Sequence, residues 1–272
     1  MIPASRIKYI RSLQQKKFRR QHGVFVAEGE KIVGELIGAS LANAPDTTIR
    51  LECICAVEDW MNRHRRILPA ELETYIVSPA ELKRISGLTT PNMVLAVVAT
   101  PQYSWSQADL TGERILLLDG IQDPGNLGTI VRTADWFGIR RIFCSPDTAD
   151  VFSPKVIQAT MGSFLRVQVS YTGLADLIRQ MPRGHAVYGA TLDGADVFGI
   201  RPPASGMLVI GNESRGISPE LLPVIRTKVR IPGPIPHTGV TGGVGPESLN
   251  ASVAAGILMA WLNNAGTSLF EE

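Results

Sequence analysis

The chain has 272 residues, of which 44% are hydrophobic and 19% are charged, a composition typical of a globular protein and not of a disordered one. Its net charge of +2 does not by itself suggest a nucleic-acid partner. The sequence contains no apolar run long enough to span a bilayer, and the basic N-terminus lacks the apolar core of a signal peptide. We therefore expect a soluble, cytoplasmic protein.

Cysteines and histidines give no indication of a metal site or a disulfide framework. The three cysteines are few, and Cys53 and Cys55 lie two positions apart in a segment that is typical of a β-strand. A thiol pair alone does not form a metal site, so we interpret both as core or surface residues. The four histidines are scattered, and we expect no bound metal.

The first half of the chain alternates predicted helices and strands. We predict a helix over residues 5–20, strands at 24–26, 51–57, 71–77 and 94–99, and a helix capped by Ser78. The predicted helix over 5–20 contains seven basic residues and no acid, namely Arg6, Lys8, Arg11, Lys16, Lys17, Arg19 and Arg20. This pattern suits the phosphate backbone of a nucleic acid, and an ordinary solvated helix face explains it equally well.

A polar, aperiodic stretch at residues 100–111 is interpreted as a linker, so we expect domains at residues 1–106 and 107–272. The second half begins with an apolar strand at 114–119, followed by a helix at 127–137 and a strand at 141–144. Later strands are expected at 186–190, 207–210 and 229–231. Helices are expected near 156–161, 174–181, 219–225 and 249–262. This alternation predicts an α/β domain with a parallel sheet.

The first segment with chemical potential is NLGTIVRTADWFG at residues 126–138. Its apolar residues form one helical stripe, and Arg132 falls outside that stripe, shortly after the carboxyl end of a predicted strand. Ligands of open α/β sheets bind at this edge, and an arginine there suits an anion or a phosphate. The simpler alternative is that Arg132 is an ordinary solvated helix residue. For Asn126 the alternative to a functional role is that of the helix N-cap.

Two further segments follow later strands. LVIGNESRGIS at residues 208–218 runs from a buried strand into a turn in which Gly211 permits close backbone approach and Glu213 can orient a basic group. VRIP at 229–232 leads through a loop rich in glycine and proline to SLNASVAAG at 248–256, where Ser248 is a candidate N-cap. The sequence has no Gly-x-Gly-x-x-Gly motif of dinucleotide-binding proteins after the first strand and no Gly-Lys-Ser/Thr phosphate-binding loop. This argues against a dehydrogenase or a nucleoside triphosphatase.

In this order, the three segments closely resemble the three motifs of the SpoU-type (TrmH-like) RNA 2′-O-ribose methyltransferases of the SPOUT class. The N-terminal stretches IKYIRSL at 7–13, FVAEG at 25–29 and TTPN at 89–92 resemble that family's substrate-binding domain, which is similar to RNA-binding ribosomal proteins. The resemblance covers nearly the whole chain. It implies a small α/β RNA-binding domain and an α/β methyltransferase domain with a C-terminal trefoil knot, two chains pairing through the latter.

The resemblance also implies an S-adenosylmethionine cofactor and a set of site positions. Cofactor-binding positions match Gly211, Ile231 and Leu249, and active-site positions match Asn126, Arg132, Glu213, Ser248 and Asn250. Arg132 is expected at the ribose 2′-hydroxyl, either as base or as orienting group. The loop at 233–245 is longer than the family pattern, and His237 within it has no assigned role.

The expected function is therefore S-adenosylmethionine-dependent methylation of a ribose 2′-hydroxyl in RNA, with ribosomal RNA as the preferred substrate. The extra N-terminal domain favours ribosomal RNA, because RNA helices are recognised largely through shape, phosphates and 2′-hydroxyls. The alternatives are a transfer-RNA 2′-O-methyltransferase and an RNA-binding ribosome-assembly factor that has lost catalysis.

Overall fold

Alternating helices and strands run through the chain as the sequence predicts. The computed structural model describes residues 2–42, 49–233 and 248–264. It divides into two units, each described by itself below. The N-terminal unit comprises Met1–Tyr103 and Asp150–Arg166, and the C-terminal unit comprises Ser104–Ala149 and Val167–Glu272.

The N-terminal unit is built on a mixed four-stranded sheet. Its strands are β1 (Val24–Glu28), β2 (Leu51–Ala56), β3 (Glu73–Ile76) and β4 (Val94–Ala99), in the spatial order β1-β4-β2-β3. Only β2 and β3 pair in parallel. The helices of its first segment are α1 (Ala4–Ser12), α2 (Lys16–His22), α3 (Glu30–Ala42), α4 (Glu58–His64) and α5 (Pro79–Ile85).

Both faces of this sheet are covered, which explains why β1 consists entirely of buried residues. Phe25 packs in the cluster that includes residues of α3 and α4, whereas Val26 packs in the cluster that includes residues of α1 and α5. Successive residues of a strand point to opposite faces of the sheet, so the neighbours Phe25 and Val26 pack into different hydrophobic clusters. Cys53 and Cys55 are fully buried in the second cluster, as expected for core residues.

The helix predicted over residues 5–20 is two helices, which corrects that prediction. Leu13 ends α1, and the backbone of Gln15 is extended before α2 begins. The break leaves the carbonyl groups of Leu13 and Gln14 without helical partners, and the guanidinium of Arg19 donates to both at 2.8 Å. Arg19 also forms an ion pair with Asp150 at 2.6 Å and is only 5% exposed.

Residues 150–166 belong to the N-terminal unit although they lie between two strands of the other unit. They contain helix α8 (Pro154–Thr160), which packs against β1. Gln158 donates to the carbonyl of Glu28 at 2.7 Å, and the rings of Phe152 and Phe164 pack on Phe25. A single boundary near residue 106 does not account for residues 150–166. The predicted domains at 1–106 and 107–272 stay a prediction.

The C-terminal unit contains the parallel sheet that the sequence predicts. Its six strands are β5 (Arg114–Leu118), β6 (Arg141–Cys144), β7 (Gln168–Tyr171), β8 (Val187–Asp196), β9 (Gly206–Ile210) and β10 (Thr227–Arg230). Their spatial order is β10-β8-β9-β5-β6-β7. The helices of this unit are α6 (Gln107–Leu110), α7 (Pro124–Trp136), α9 (Leu174–Gln180) and α10 (Ala251–Asn263).

The helix predicted over residues 219–225 is wrong, because this stretch forms only a turn and a short 3-10 helix at Leu222–Val224. Pro223 lies inside it, and an interior proline removes a backbone donor and prevents a regular helix. Within residues 2–42, 49–233 and 248–264, the structure has no helix that is long and apolar enough to cross a membrane.

We predict that Arg19→Met lowers the free energy of unfolding by about 3 kcal/mol, because it leaves Asp150 and two carbonyl groups without their cationic partner. Denaturant unfolding of the full chain measures the change. Arg66→Met is the matched control, since Arg66 is exposed and should change stability by no more than about 0.5 kcal/mol. Equal stability of the two variants would contradict the buried ion pair.

Candidate active site

The candidate active site lies where two neighbouring parallel strands end. Strands β5 and β9 pair side by side, with Leu118 opposite Ile210. Asp119 follows β5 and is only 7% exposed, and its carboxylate accepts the backbone N–H of Ser218 at 2.7 Å. This bond attaches the end of the loop after β9 to the end of β5. The carboxyl edge of such a sheet is the usual place for a ligand.

The loop after β9 is fixed by its own backbone and by Asn212. The backbone groups of Asn212 and Gly216 exchange two hydrogen bonds at 2.9 and 3.0 Å. The Asn212 side chain accepts from the N–H groups of Ser214 and Arg215 and donates to the carbonyl of Gly120 at 2.8 Å. A Cβ atom at Gly211 would lie 2.4–2.5 Å from the backbone of Gly216 and Ile217, so only glycine fits there.

Asn126, Glu213 and Asn250 form one hydrogen-bonded network. The amide nitrogen Nδ2 of Asn126 donates to the carboxylate of Glu213 through a short bond, and its oxygen accepts from Asn250 at 3.0 Å. Asn250 is the N-cap of α10, where its side-chain oxygen accepts the N–H groups of Ser252 and Val253. Three of the five expected active-site residues are therefore in direct contact.

Arg132 and Ser248 lie outside this network. Arg132 is exposed on α7, and it forms no hydrogen bond or ion pair with the residues that the structure describes. Ser248 is exposed two residues before the Asn250 cap, so it is not the N-cap of α10. The N-cap of α7 is Asp123, which accepts the N–H of Asn126 at 2.8 Å, so the N-cap alternative for Asn126 is wrong.

The profile of the SpoU rRNA Methylase family matches residues 113–260, more than half of the chain. A second profile, of the MRM3-like substrate binding domain, matches residues 4–96. The chain belongs to the SpoU rRNA methylase family. This confirms the resemblance seen in the three segments, together with the enzyme class that it implied, an S-adenosylmethionine-dependent RNA methyltransferase.

Relatives of this SpoU-family protein match over nearly its whole length. It is 30% identical to RlmP, a 23S rRNA (guanosine(2553)-2′-O)-methyltransferase of Bacillus subtilis, over 93% of this chain and 94% of that protein. A TrmH-family structure from Porphyromonas gingivalis is 37% identical, with a TM-score of 0.80 and coverage of 96% and 98% of the two chains. The AdoMet-bound rRNA methyltransferase of Sinorhizobium meliloti is 28% identical, with a TM-score of 0.80 and coverage of 100% and 97%.

The expected cofactor positions of this family member fit S-adenosylmethionine. Gly211 directly follows β9 and Ile231 directly follows β10, and both strands pair with β8, so about 10 Å separates their carboxyl ends. Leu249, two residues before α10, is an aliphatic residue that is 44% exposed. Backbone polar groups beside aliphatic side chains suit a neutral adenosyl group. The long loop at 233–245, including His237, lies outside the described residues except for Gly233.

Sequence reasoning missed the residues that hold the loops of this SpoU-family site in place. Asp119 and Asn212 bind backbone groups of other segments, and Ser145 accepts the N–H of Gly120 at 2.8 Å. Arg215 pairs with Asp147 at 3.4 Å. Asp123 could have been found, because an aspartate before a proline is a common helix start.

We predict that Gly211→Ala abolishes S-adenosylmethionine binding and lowers the free energy of unfolding by about 1–3 kcal/mol, because the new Cβ overlaps the Gly216 backbone. Calorimetric titration and denaturant unfolding measure the two effects. Gly199→Ala is the control, since a Cβ there meets no atom within 4 Å. Cofactor affinity within twofold of the parent chain would show that the loop tolerates the side chain.

Proposed function

We propose that the C-terminal unit methylates a ribose 2′-hydroxyl of ribosomal RNA and that the N-terminal unit binds the RNA. The observation that carries the proposal is the network of Asn126, Glu213 and Asn250, which lies inside the SpoU match and follows the carboxyl end of β9. Relatives of similar length support the substrate, since those of Bacillus subtilis and Sinorhizobium meliloti are described as rRNA methyltransferases.

The cofactor positions are proposed to be Gly211, Ile231 and Leu249, and bound S-adenosylmethionine supplies an electrophilic methyl group. Asn126 already forms hydrogen bonds with both Glu213 and Asn250. The proposed role of these three residues is therefore to hold α7, α10 and the loop after β9 in one geometry. Holding reactants in the right geometry can supply about 7–11 kcal/mol of a barrier in favourable cases. Ser248, at the entrance to α10, is proposed to support the cofactor loop.

Arg132 is proposed to bind a phosphate of the substrate and to orient the 2′-hydroxyl. Its exposed guanidinium has no partner among the described residues, so it is free to take an anion. Guanidinium groups hold their proton tightly and are poor bases at neutral pH. We therefore favour an orienting role, with proton removal from the hydroxyl depending on the assembled complex with RNA.

The N-terminal helices offer fewer cations to RNA than the sequence suggests. Arg19 is buried against Asp150, and Arg6 contacts both Glu52 and Glu73. The proposal for RNA binding therefore rests on the remaining basic residues of α1 and α2, which are Lys8, Arg11, Lys16, Lys17 and Arg20. The match of this region to a substrate binding domain supports that role.

A trefoil knot in the C-terminal unit also remains part of the proposal. Consecutive residues Lys228 and Val229 of β10 pair with Gly189 and Ala195 of β8, so five residues of β8 leave the register there. A Cβ at Gly194 would lie 2.5 Å from the Val229 backbone, which shows how closely the two segments pass. Hydrogen bonds from Lys228 and from Thr191 lower the pKa of Asp193 in the same stretch. These contacts describe a close pairing of neighbouring strands, and the proposal of a threaded chain rests on membership of the SpoU family.

A homodimer through the C-terminal unit is proposed for the same protein. Helices α7 and α10 pack together, and they leave large apolar side chains exposed, with Trp136 at 84% and Val253 at 50%. A second copy of the same unit would remove this surface from water. A cytoplasmic location follows from the proposed ribosomal RNA substrate and is part of the same proposal.

We predict that Arg132→Ala lowers kcat/KM for methylation at least about 100-fold while the affinity for S-adenosylmethionine stays within threefold. The reason is that Arg132 is exposed and proposed to contact RNA, not the cofactor. Tritium transfer from labelled S-adenosylmethionine to ribosomal RNA measures activity. Arg140→Ala, another exposed arginine of this unit, is the control. Near-normal turnover of Arg132→Ala would remove Arg132 from the active site.

The proposed substrate is tested by mapping 2′-O-methyl groups in total RNA from cells with and without the gene. We expect one ribosomal RNA position to lose its methyl group, with all transfer-RNA positions unchanged. Loss of a transfer-RNA position alone would keep the reaction and change the substrate. No lost position, together with no S-adenosylmethionine binding in calorimetry, would favour the catalytically silent assembly factor.

A further inference from the structure

A cleft in the N-terminal unit lies between the end of α1 and the end of α5. Its volume is about 470 Å³, and it is lined by Arg11, Gln14, Lys83, Arg84, Ile85 and Ser86. The two helices pack against each other, so residues separated by some seventy positions meet on one surface. This volume falls within the range of roughly 300–1,000 Å³ that is usual for small-ligand sites.

Three exposed cations line this cleft, and one of them, Arg84, is attracted by the nearby carboxylate of Glu81. Arg11, Lys83 and Arg84 are exposed, and none of them forms an ion pair within the described part of the chain. In contrast, Arg6 and Arg19 in the same unit are paired with carboxylates. The cleft therefore carries a net positive charge, which favours an anionic ligand.

A buried amide gives the cleft a second feature that points to a ligand. The amide nitrogen of Gln14 is buried and has no hydrogen-bond partner among the described residues. A buried donor without a partner costs about 1–3 kcal/mol, and rotation of the flexible Gln14 side chain toward the cleft would let a ligand oxygen satisfy it. The amide lies directly against Gly87, where a Cβ would be 2.6 Å from its oxygen and 2.9 Å from its nitrogen.

The turn at Ser86 and Gly87, beside the cleft, is fixed by hydrogen bonds to the buried carboxylate of Glu28. Glu28 is only 3% exposed, and its carboxylate accepts the N–H of Gly87 at 2.8 Å and a short hydrogen bond from the Ser86 hydroxyl. The Ser86 oxygen in turn accepts the N–H of Leu88 at 3.0 Å. Because these bonds occupy the carboxylate, Glu28 fixes the wall of the cleft and does not pair with its cations.

We propose that this cleft and its rim bind consecutive phosphodiester groups of the RNA substrate, with room for an attached nucleoside. Two guanidinium groups and one ammonium group attract the phosphates of an RNA backbone, each of which carries one negative charge, and the Gln14 amide is a donor for a phosphate or ribose oxygen. Ile85 supplies an apolar surface at the side of the cleft. The inference rests on the proposed function, and it adds Gln14, Lys83 and Arg84 to the RNA-binding residues.

The charge is tested by replacing Arg11, Lys83 and Arg84 together with glutamine in the full chain. The probe is a fluorescein-labelled 30-nucleotide RNA hairpin, titrated by anisotropy at several salt concentrations. The slope of log K against log salt should fall by about 2–3, because each lost phosphate contact removes about 0.7–0.9. The matched control replaces Arg50, Arg65 and Arg66, three exposed arginines of the same unit. Its slope should change by less than about 1.

The geometry of the cleft is tested by Gly87→Ala, which changes no charge. The new Cβ forces the Gln14 amide out of its place, so RNA affinity should fall at least threefold while the salt slope stays the same. Gly23 has a positive φ and is unsuitable as a control, whereas Gly34→Ala introduces a Cβ that meets no atom within 4 Å. Equal RNA affinity of the Gly87→Ala and Gly34→Ala variants would mean that the cleft is not the binding site.

Two further outcomes separate the cleft from the enzyme activity and from free anions. If the parent chain methylates RNA and the cleft triple variant binds the hairpin with an unchanged slope, the cleft proposal is wrong and the function stands. If the parent chain neither binds nor methylates RNA, the proposed function itself is wrong. If only calorimetric binding of inorganic phosphate is lost in the triple variant, the cleft takes a free anion and the RNA assignment is overturned.

Discussion

The side-chain amide of Asn126 joins three segments of the C-terminal unit that lie far apart in the sequence. Its nitrogen donates to Glu213 in the loop after β9, and its oxygen accepts from Asn250 at the start of α10. An amide offers a donor and an acceptor in the same plane, whereas an ionised carboxylate only accepts and an ammonium only donates, so neither of these could bridge both partners. Asn126 therefore links α7, α10 and the loop after β9, in addition to the packing of α7 on α10, and its own backbone N–H is held by the Asp123 cap.

Around this amide, the loop after β9 is closed by backbone contacts that leave no room for side chains. The strand and its loop approach each other at Gly211 more closely than any Cβ permits, while the carboxylate of Asp119 holds the end of the loop at Ser218. Rigid backbone at the sheet edge is what a methyl transfer requires, because the reaction depends on placing one oxygen in line with one carbon. Arg132, which is proposed to contact the RNA, lies outside this fixed backbone and is exposed on α7.

Apolar runs of the sequence predict the strands of the parallel sheet because a sheet covered on both faces needs continuous hydrophobic residues. The three motifs likewise predict Asn126, Glu213 and Asn250 as one site, although only the fold shows that they bond to each other. The break after Leu13 could not be predicted, since it depends on Arg19 reaching a carboxylate at residue 150. A contact between residues so far apart in the sequence produces no local sequence pattern. For the same reason, the sequence does not predict that residues 150–166 belong to the N-terminal unit.

Charge counted along the sequence and charge presented by the fold are different quantities in the N-terminal unit. Seven basic residues in residues 6–20 suggest one continuous basic helix, yet the fold neutralises Arg6 and Arg19 and places Arg11 beside Lys83 and Arg84. Desolvating a cation is costly unless a carboxylate accompanies it, so buried Arg19 and partly buried Arg6 pair with carboxylates and have structural roles. The cations that stay in water retain their long-range field, and the packing of α1 on α5 gathers three of them around a single opening. A protein that recognises RNA by shape needs such a local concentration of charge more than it needs a large net charge.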